Sequence, residues 1–306
     1  MTPAPHRPAA AAWQVAAALT AVYLIWGSTY LAIRFALEGG FPPFLLGGAR
    51  FLLAGSVMYV VLRWRGDVAP SAAQWRNTAV MGVLLLLLGN GMVNVAEQTV
   101  SSGMAAVAVA SAPLWMALFA LFRGERPTRL EWVGLAIGFV GVIGLNAGSS
   151  LRATPLGMMA LLVATVSWSF GSIWSRGRDL PSPFMTAAAQ MLCGGLAMLL
   201  LGVTLGERLP PQPSAKALGA FVYLVILGSI IGFSAYVWLL RNVRPALAGS
   251  YAYVNPAIAV LLGALMARER FSGVELAGMG VILGGVVVIT LAKTTRSAPV
   301  TDDSAA

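Results

Sequence analysis

A single histidine and a single cysteine stand among 306 residues, and that scarcity removes several chemistries at once. His6 lies in an Ala/Pro-rich tail, so no imidazole is on hand for buried general acid–base work. Cys193 has no second thiol to pair with and falls inside an apolar run, which excludes an intrachain disulfide. No cluster of His, Cys and carboxylates has metal-ligand spacing, and no phosphate-binding loop motif occurs. Neither a metal nor a nucleotide cofactor is expected. Charge is also in short supply, at 10% of residues against 58% hydrophobic, too little to cover the surface of a soluble globule.

Long apolar stretches take the place of charge. Ten runs of roughly 17 to 25 residues, each long enough to cross a hydrocarbon core, follow one another with short polar breaks. Their approximate limits are Trp13 to Phe35, Phe44 to Leu62, Asn77 to Val95, Ser102 to Phe122, Leu130 to Asn146, Pro155 to Ser175, Phe184 to Gly206, Ala217 to Leu240, Ala246 to Ala267 and Gly273 to Ala292. The first run is too long for a secretory signal and reads as a retained helix. Residues 1–12 and 293–306 are predicted to be disordered tails. The formal charge of +9 reflects topology rather than nucleic-acid binding. With the N-terminus inside, cytoplasmic segments carry thirteen Lys and Arg and the opposite side five, which places both termini in the cytoplasm.

The chain repeats itself. FRGERPTRLEWVG (122 to 134) and MARERFSGVELAG (266 to 278) share a skeleton 144 residues apart, and each is a capping box. Thr128 with Glu131 and Ser272 with Glu275 put a hydroxyl at the N-cap and a carboxylate at N3, opening the fifth and tenth helices. Pro113 corresponds to Pro256, Trp26 to Trp168, the PPF at 42 to 44 to the SPF at 182 to 184, and Arg50 to Gln190. Five helices is an odd number, so the second copy re-enters the membrane upside down. The expected fold is an all-α membrane protein of ten helices in two inverted repeats, 13–147 and 155–292. Halves so related can exchange shapes and open a central cavity to each side in turn.

The stretches IWGSTYLAIR, PPFLLGGARFLLAG, GNGMVNVAEQTVSSG, SWSFGSIWSR, LGSIIGFSAY and RNVRPALAGSYAYVNPAIAVLLG make the chain, from about Tyr23 to Leu291, resemble the EamA-like family of the drug/metabolite transporter superfamily, and in particular its YedA-type exporter branch. The resemblance implies a cavity surrounded by helices 1, 3, 4, 6, 8 and 9, with helices 5 and 10 packed away from it. It implies substrates among amino acids, related metabolites and toxic organic compounds. The export direction comes from the resemblance alone.

Polar groups in hydrocarbon need a partner or a wet cavity. Asn90, Asn94 and Glu97 form one helical stripe, which either lines a substrate path or makes interhelical hydrogen bonds. Arg50, two turns into the second helix, either snorkels, caps a neighbour or pairs with Glu97 or Glu38, and a gating or structural role is expected for it. Pro113 and Pro256 interrupt the fourth and ninth helices, freeing the carbonyls of Val109 and Ala252 as hinges or cavity acceptors beside Ser111 and Asn255. Trp26, Tyr30, Trp115, Trp168, Tyr236 and Tyr251 are candidate walls for an apolar or cationic substrate, with packing as the alternative. Glycines 134, 138, 141 and 144, with 278, 280, 284 and 285, offer small faces that either join the fifth and tenth helices or form a homodimer.

No acidic residue falls in the middle third of any run, so facilitated or weakly coupled transport is expected, with proton coupling through Glu97 as the alternative. The expected partners are a small-molecule substrate and the bilayer. An alternating-access exporter is the favoured function. A channel or a non-transporting receptor is the alternative, and an intramembrane enzyme, left with only Glu97 and Arg50, comes last.

Overall fold

The computed structural model describes residues 11–100, 108–145, 154–267 and 273–292, and among these the regular structure is all helical, without strands. The long helices are α1 (Ala12–Glu38), α2 (Pro43–Trp64), α3 (Ala72–Ala96), α4 (Ala112–Phe122), α5 (Arg129–Leu145), α6 (Pro155–Ser175), α7 (Pro183–Thr204), α8 (Ala215–Asn242), α9 (Tyr251–Ala267) and α10 (Gly273–Leu291). Among the described residues, α1, α2, α3, α6, α7 and α8 are long and apolar enough to cross a membrane, and α4 and the 277–291 stretch of α10 are shorter apolar helices. Residues 1–10 and 293–306, expected to be tails, lie outside the described residues.

Start signals place the helices. Pro43, Pro155 and Pro183 occupy first-turn positions where a missing N–H costs nothing. Ser71, Thr154, Ser182 and Ser214 each accept a hydrogen bond from an amide of the first turn. Thr128 and Glu131 form a reciprocal box at α5: the Glu131 amide donates to Thr128 Oγ1 at 3.2 Å, and the Thr128 amide donates to a Glu131 carboxylate oxygen at 2.7 Å. Arg244 pairs with the same carboxylate at 2.6 Å. Ser272 and the Glu275 side chain lie outside what the structure describes.

The two prolines sit differently in their helices. Residues 108 and 109 are helical, 110 and 111 form a turn, and Pro113 lies in the first turn of α4, so the helix is broken just ahead of the proline. A ring that cannot donate an amide fits that first turn without distortion. Pro256 does sit inside its helix, but the expected run from Ala246 is divided into a one-turn helix, Pro245–Gly249, and α9. The division falls at Ser250, whose Oγ shares a 2.6 Å hydrogen bond with Tyr23 Oη of α1.

Two stretches are wound more widely than an α-helix. Gly82–Gly91 within α3 and Leu224–Phe233 within α8 are π-helical, each over ten residues, and each occupies the middle of its span. Such windings are usually single turns, frequently at functional sites. Their starts lie 142 residues apart, the same spacing that separates Trp26 from Trp168.

The packing repeats with the sequence. α1 lies against α8 and α9, and α6 lies against α3 and α4. α2 packs on α7 and α5 on α10, so these two pairs join the halves to each other. Glycines set the second contact: a Cβ at Gly134, Gly141 or Gly285 would lie within 3 Å of the partner helix's backbone, whereas Gly144, Gly280 and Gly284 face open space. Leu135, Val142, Tyr253, Ile282 and Ile289 make a separate core there, leaving the main core to the other helices.

The α2–α7 pair is tied by reciprocal capping that the sequence reading did not include. Glu207, one residue past Gly206, accepts from the amides of Phe44 and Leu45 at 3.2 and 2.8 Å, at the start of α2. Asp67, one residue past Gly66, accepts from Ser182 Oγ at 3.0 Å, at the start of α7. Both glycines take left-handed conformations, φ +91° and +76°, that release the chain toward the partner helix. Each helix therefore ends in a carboxylate placed at the positive end of the other.

Candidate functional site

The two tryptophans that correspond between the repeats meet at the centre. Trp26 of α1 and Trp168 of α6 stand edge to face, with ring centroids 5.5 Å apart. Each is seated on the widened segment of the opposite half. Trp26 donates from Nε1 to the Gly228 carbonyl at 3.1 Å, and a Cβ on Gly232 would lie 2.6 Å from that nitrogen. Trp168 covers Gly89, where a Cβ would lie 2.8 Å from the indole. Tyr236 and Tyr251 complete the cluster, 5.1 and 5.0 Å from Trp26 and 5.4 Å from each other.

Above this cluster lies a cavity of about 80 Å³. A water needs roughly 10–15 Å³ by the same kind of measure, so the space has room for several. Trp26, Tyr30, Asn90, Trp168, Tyr251 and Asn255, all singled out from the sequence, line it, and so does Arg50. Val109, whose carbonyl the sequence reading offered as a cavity acceptor, lines it too, and Thr29, Phe51, Thr165, Gly228 and Phe233 are among the wall residues that reading did not select. The second helix, which the resemblance leaves outside the cavity, therefore contributes Arg50 and Phe51, because a long side chain at this depth reaches across to α8.

Arg50 is 4% exposed and does not snorkel. Its Nε donates to Ser229 Oγ at 3.0 Å, and Ser229 in turn donates to the Leu224 carbonyl five residues back, a bond that follows the π-helical pitch. Nη1 has no hydrogen-bond partner. Glu38 is engaged by Arg34 at 2.8 Å, and neither Glu38 nor Glu97 forms an ion pair with Arg50.

The polar stripe of α3 divides. Asn90 faces the cavity, and its Oδ1 has no partner. Asn94 is fully buried and donates to the Pro43 carbonyl at 3.0 Å, so it joins α3 to the start of α2. Glu97 ends the helix with both carboxylate oxygens buried and without hydrogen-bond partners, and it does not line the cavity. Trp115 also lies off the cavity, stacked on Phe119 at 6.3 Å. Asn255 offers a second unpartnered buried acceptor, one residue before Pro256.

Below the aromatic cluster a hydrogen-bonded layer closes the space. Trp168 Nε1 donates to Tyr236 Oη at 2.9 Å, and Tyr236 Oη bonds Ser172 Oγ at 2.7 Å. Tyr236, Ser172, Leu85 and Leu86 are all fully buried. Beyond them, further along α6 and α8 and nearer the start of α3, a second chamber of about 320 Å³ is lined by Met81, Ser175, Arg176, Arg178, Leu180, Val237, Leu240 and Arg241. Two chambers in line, separated by one sealed layer, is the geometry that the two halves produce together.

The model of the EamA-like transporter family matches this chain twice, over residues 13–147 and 155–291. The chain belongs to that family. It is 46% identical over 277 residues, 90% of each chain, to the inner membrane transporter YedA of Escherichia coli (strain K12). It is 26% identical to protein PecM of Dickeya dadantii (strain 3937), over 87% of this chain and 88% of that one. A crystal structure 23% identical in sequence superposes with a TM-score of 0.76 over 92% of this chain and 98% of that one, a likeness of fold. As an EamA-like protein with several apolar membrane-spanning helices and an inner membrane relative of this similarity, the chain is a multi-pass protein of the inner membrane.

Proposed function

We propose that this protein is an alternating-access secondary transporter that exports small metabolites, amino acids or their derivatives among them, or amphipathic toxic compounds. The observation that carries this reading is the pair of chambers divided by the Trp168–Tyr236–Ser172 layer. Each tryptophan rests on the other half's π segment, so a rocking of one half against the other would move a wall and a gate together. Ten spans in two inverted repeats, with both termini cytoplasmic, is the topology that goes with it. The arginine-lined chamber then faces the cytoplasm, and the 80 Å³ cavity is the occluded binding site. Export is favoured by the YedA-type resemblance. Two small faces of α5 and α10 remain after their mutual packing, and a homodimer through Gly280 and Gly284 is the arrangement that would use them.

The lone cysteine makes the test direct. In a Cys193→Ala background, Thr165→Cys places one thiol in the cavity wall. A membrane-impermeant maleimide should label it both in right-side-out and in inverted vesicles, with no accompanying ion conductance. Unitary currents would indicate a channel, and labelling from one face under every condition would indicate a receptor without a transport cycle.

A further inference from the structure

Resting on the transport reading, we infer that the cavity selects organic anions, specifically a carboxylate on a flat apolar body, and that Arg50 is the residue that selects them. A guanidinium keeps its charge wherever it sits, and holding one away from water at membrane depth is costly unless something compensates it. Most buried charges offset this with an ion pair, yet the three salt bridges among the described residues use other arginines. Arg50 instead rests over the Phe51 ring at 4.3 Å and is held by one neutral hydroxyl on Nε. The Nη1 donor is left unpartnered on a wall of the cavity. A carboxylate from the cavity would supply the missing acceptor, and a charge nearer than that of the buried Glu97, which acts on Arg50 through space without an ion-pair contact.

The rest of the wall narrows the choice. Trp26, Trp168 and Phe233 present ring surface beside Arg50, suited to a flat apolar group. Aromatic walls of this kind also attract cations, but a fixed positive charge in the same small space repels them. Asn90 Oδ1 and Asn255 Oδ1, both buried acceptors without partners, leave room for one N–H or O–H on the substrate. The second chamber agrees in sign, since Arg176, Arg178 and Arg241 line it, with Glu125 3.4 Å from Arg176. Arginine side chains therefore line both chambers.

Ser229 is a positioning residue in this scheme, acting on substrate only through Arg50. The test uses three probes of one shape, indole-3-acetate, indole-3-acetamide and tryptamine, titrated calorimetrically into the full-length protein in detergent. The acid should bind at least about tenfold tighter than the amide, as expected for a charge-assisted bond, and the amine should bind worst. Arg50→Gln should bring the acid down to the level of the amide, and Arg50→Lys should keep part of the preference. Ser229→Ala should weaken the acid severalfold and leave the amide unchanged, a split that a general loss of structure would not give. Equal or tighter binding of the amide or the amine, survival of the preference in Arg50→Gln, or no binding of the acid would each overturn the proposal. If Thr165→Cys is still labelled from both faces, such a result removes the anion specificity and leaves the transport reading standing; loss of two-sided labelling removes both.

Discussion

Tyr236→Phe should unlatch the sealed layer without disturbing its packing. The substitution deletes one oxygen from a fully buried ring that touches Trp26, Trp168 and Tyr251. Two hydrogen bonds go with it, from Trp168 Nε1 and to Ser172 Oγ. Side-chain hydrogen bonds between membrane helices average about 0.6 kcal/mol, so the closed form loses about 1.2 kcal/mol. Because about 1.4 kcal/mol is tenfold, the ratio of open to closed should rise about eightfold. Ser172 still donates to the Trp168 carbonyl, so the indole N–H is the group left without a partner, and the figure is a lower bound. The assay is the rate of maleimide labelling of Thr165→Cys from the side of the arginine-lined chamber. Tyr253→Phe is the control: its hydroxyl is fully buried with no hydrogen-bond partner, so removing it should leave labelling unchanged and hold or raise the melting temperature. No acceleration in Tyr236→Phe, or the same acceleration in Tyr253→Phe, would refute the gate.

Further outcomes follow from single contacts. Gly82→Ala sets a Cβ 2.6 Å from the Gly194 amide nitrogen and should cost about 1–3 kcal/mol, whereas Gly219→Ala, with open space around it, should stabilise by up to about 1 kcal/mol; thermal melts of the purified variants separate the two. Glu207→Ala removes the acceptor for two α2 amides and should destabilise by about 0.5–2 kcal/mol in the same melts, with Glu207→Asp recovering part of the loss. Glu97→Gln should leave substrate flux, and its independence of an imposed pH gradient, unchanged in proteoliposomes; a flux that follows the pH gradient in the wild type and ceases to do so in the variant would establish proton coupling through Glu97 instead.

The sequence carried some of this well and some of it not at all. Apolar length alone marked the six long helices, since a run that fills a bilayer has no soluble counterpart. Trp26 and Trp168 were found because a large residue repeated at a fixed offset stands out against aliphatic background. The π segments were invisible for the opposite reason: GVLLLLLGNG and LVILGSIIGF are apolar on every face, so no periodicity reports the pitch. Ser229 was missed because its partner Arg50 lies 179 residues away and an isolated serine in a membrane helix gives no signal. Asp67 and Glu207 were passed over as loop charges, although the Gly-Asp and Gly-Glu pairs that end α2 and α7 were legible as a repeat.

The exchange of carboxylates between α2 and α7, together with the seating of each tryptophan on the other half's wide segment, makes the chain divisible in sequence and indivisible in space. Neither half carries the carboxylate that caps the start of its own second helix or the surface on which its own tryptophan rests. Severed between residues 147 and 155 and produced as two polypeptides, the halves should accumulate only together, each acting as the other's template for folding. A duplication that leaves two such incomplete bodies is held in place by that dependence, because a substitution that suits one half alone is judged at once by its fit to the other.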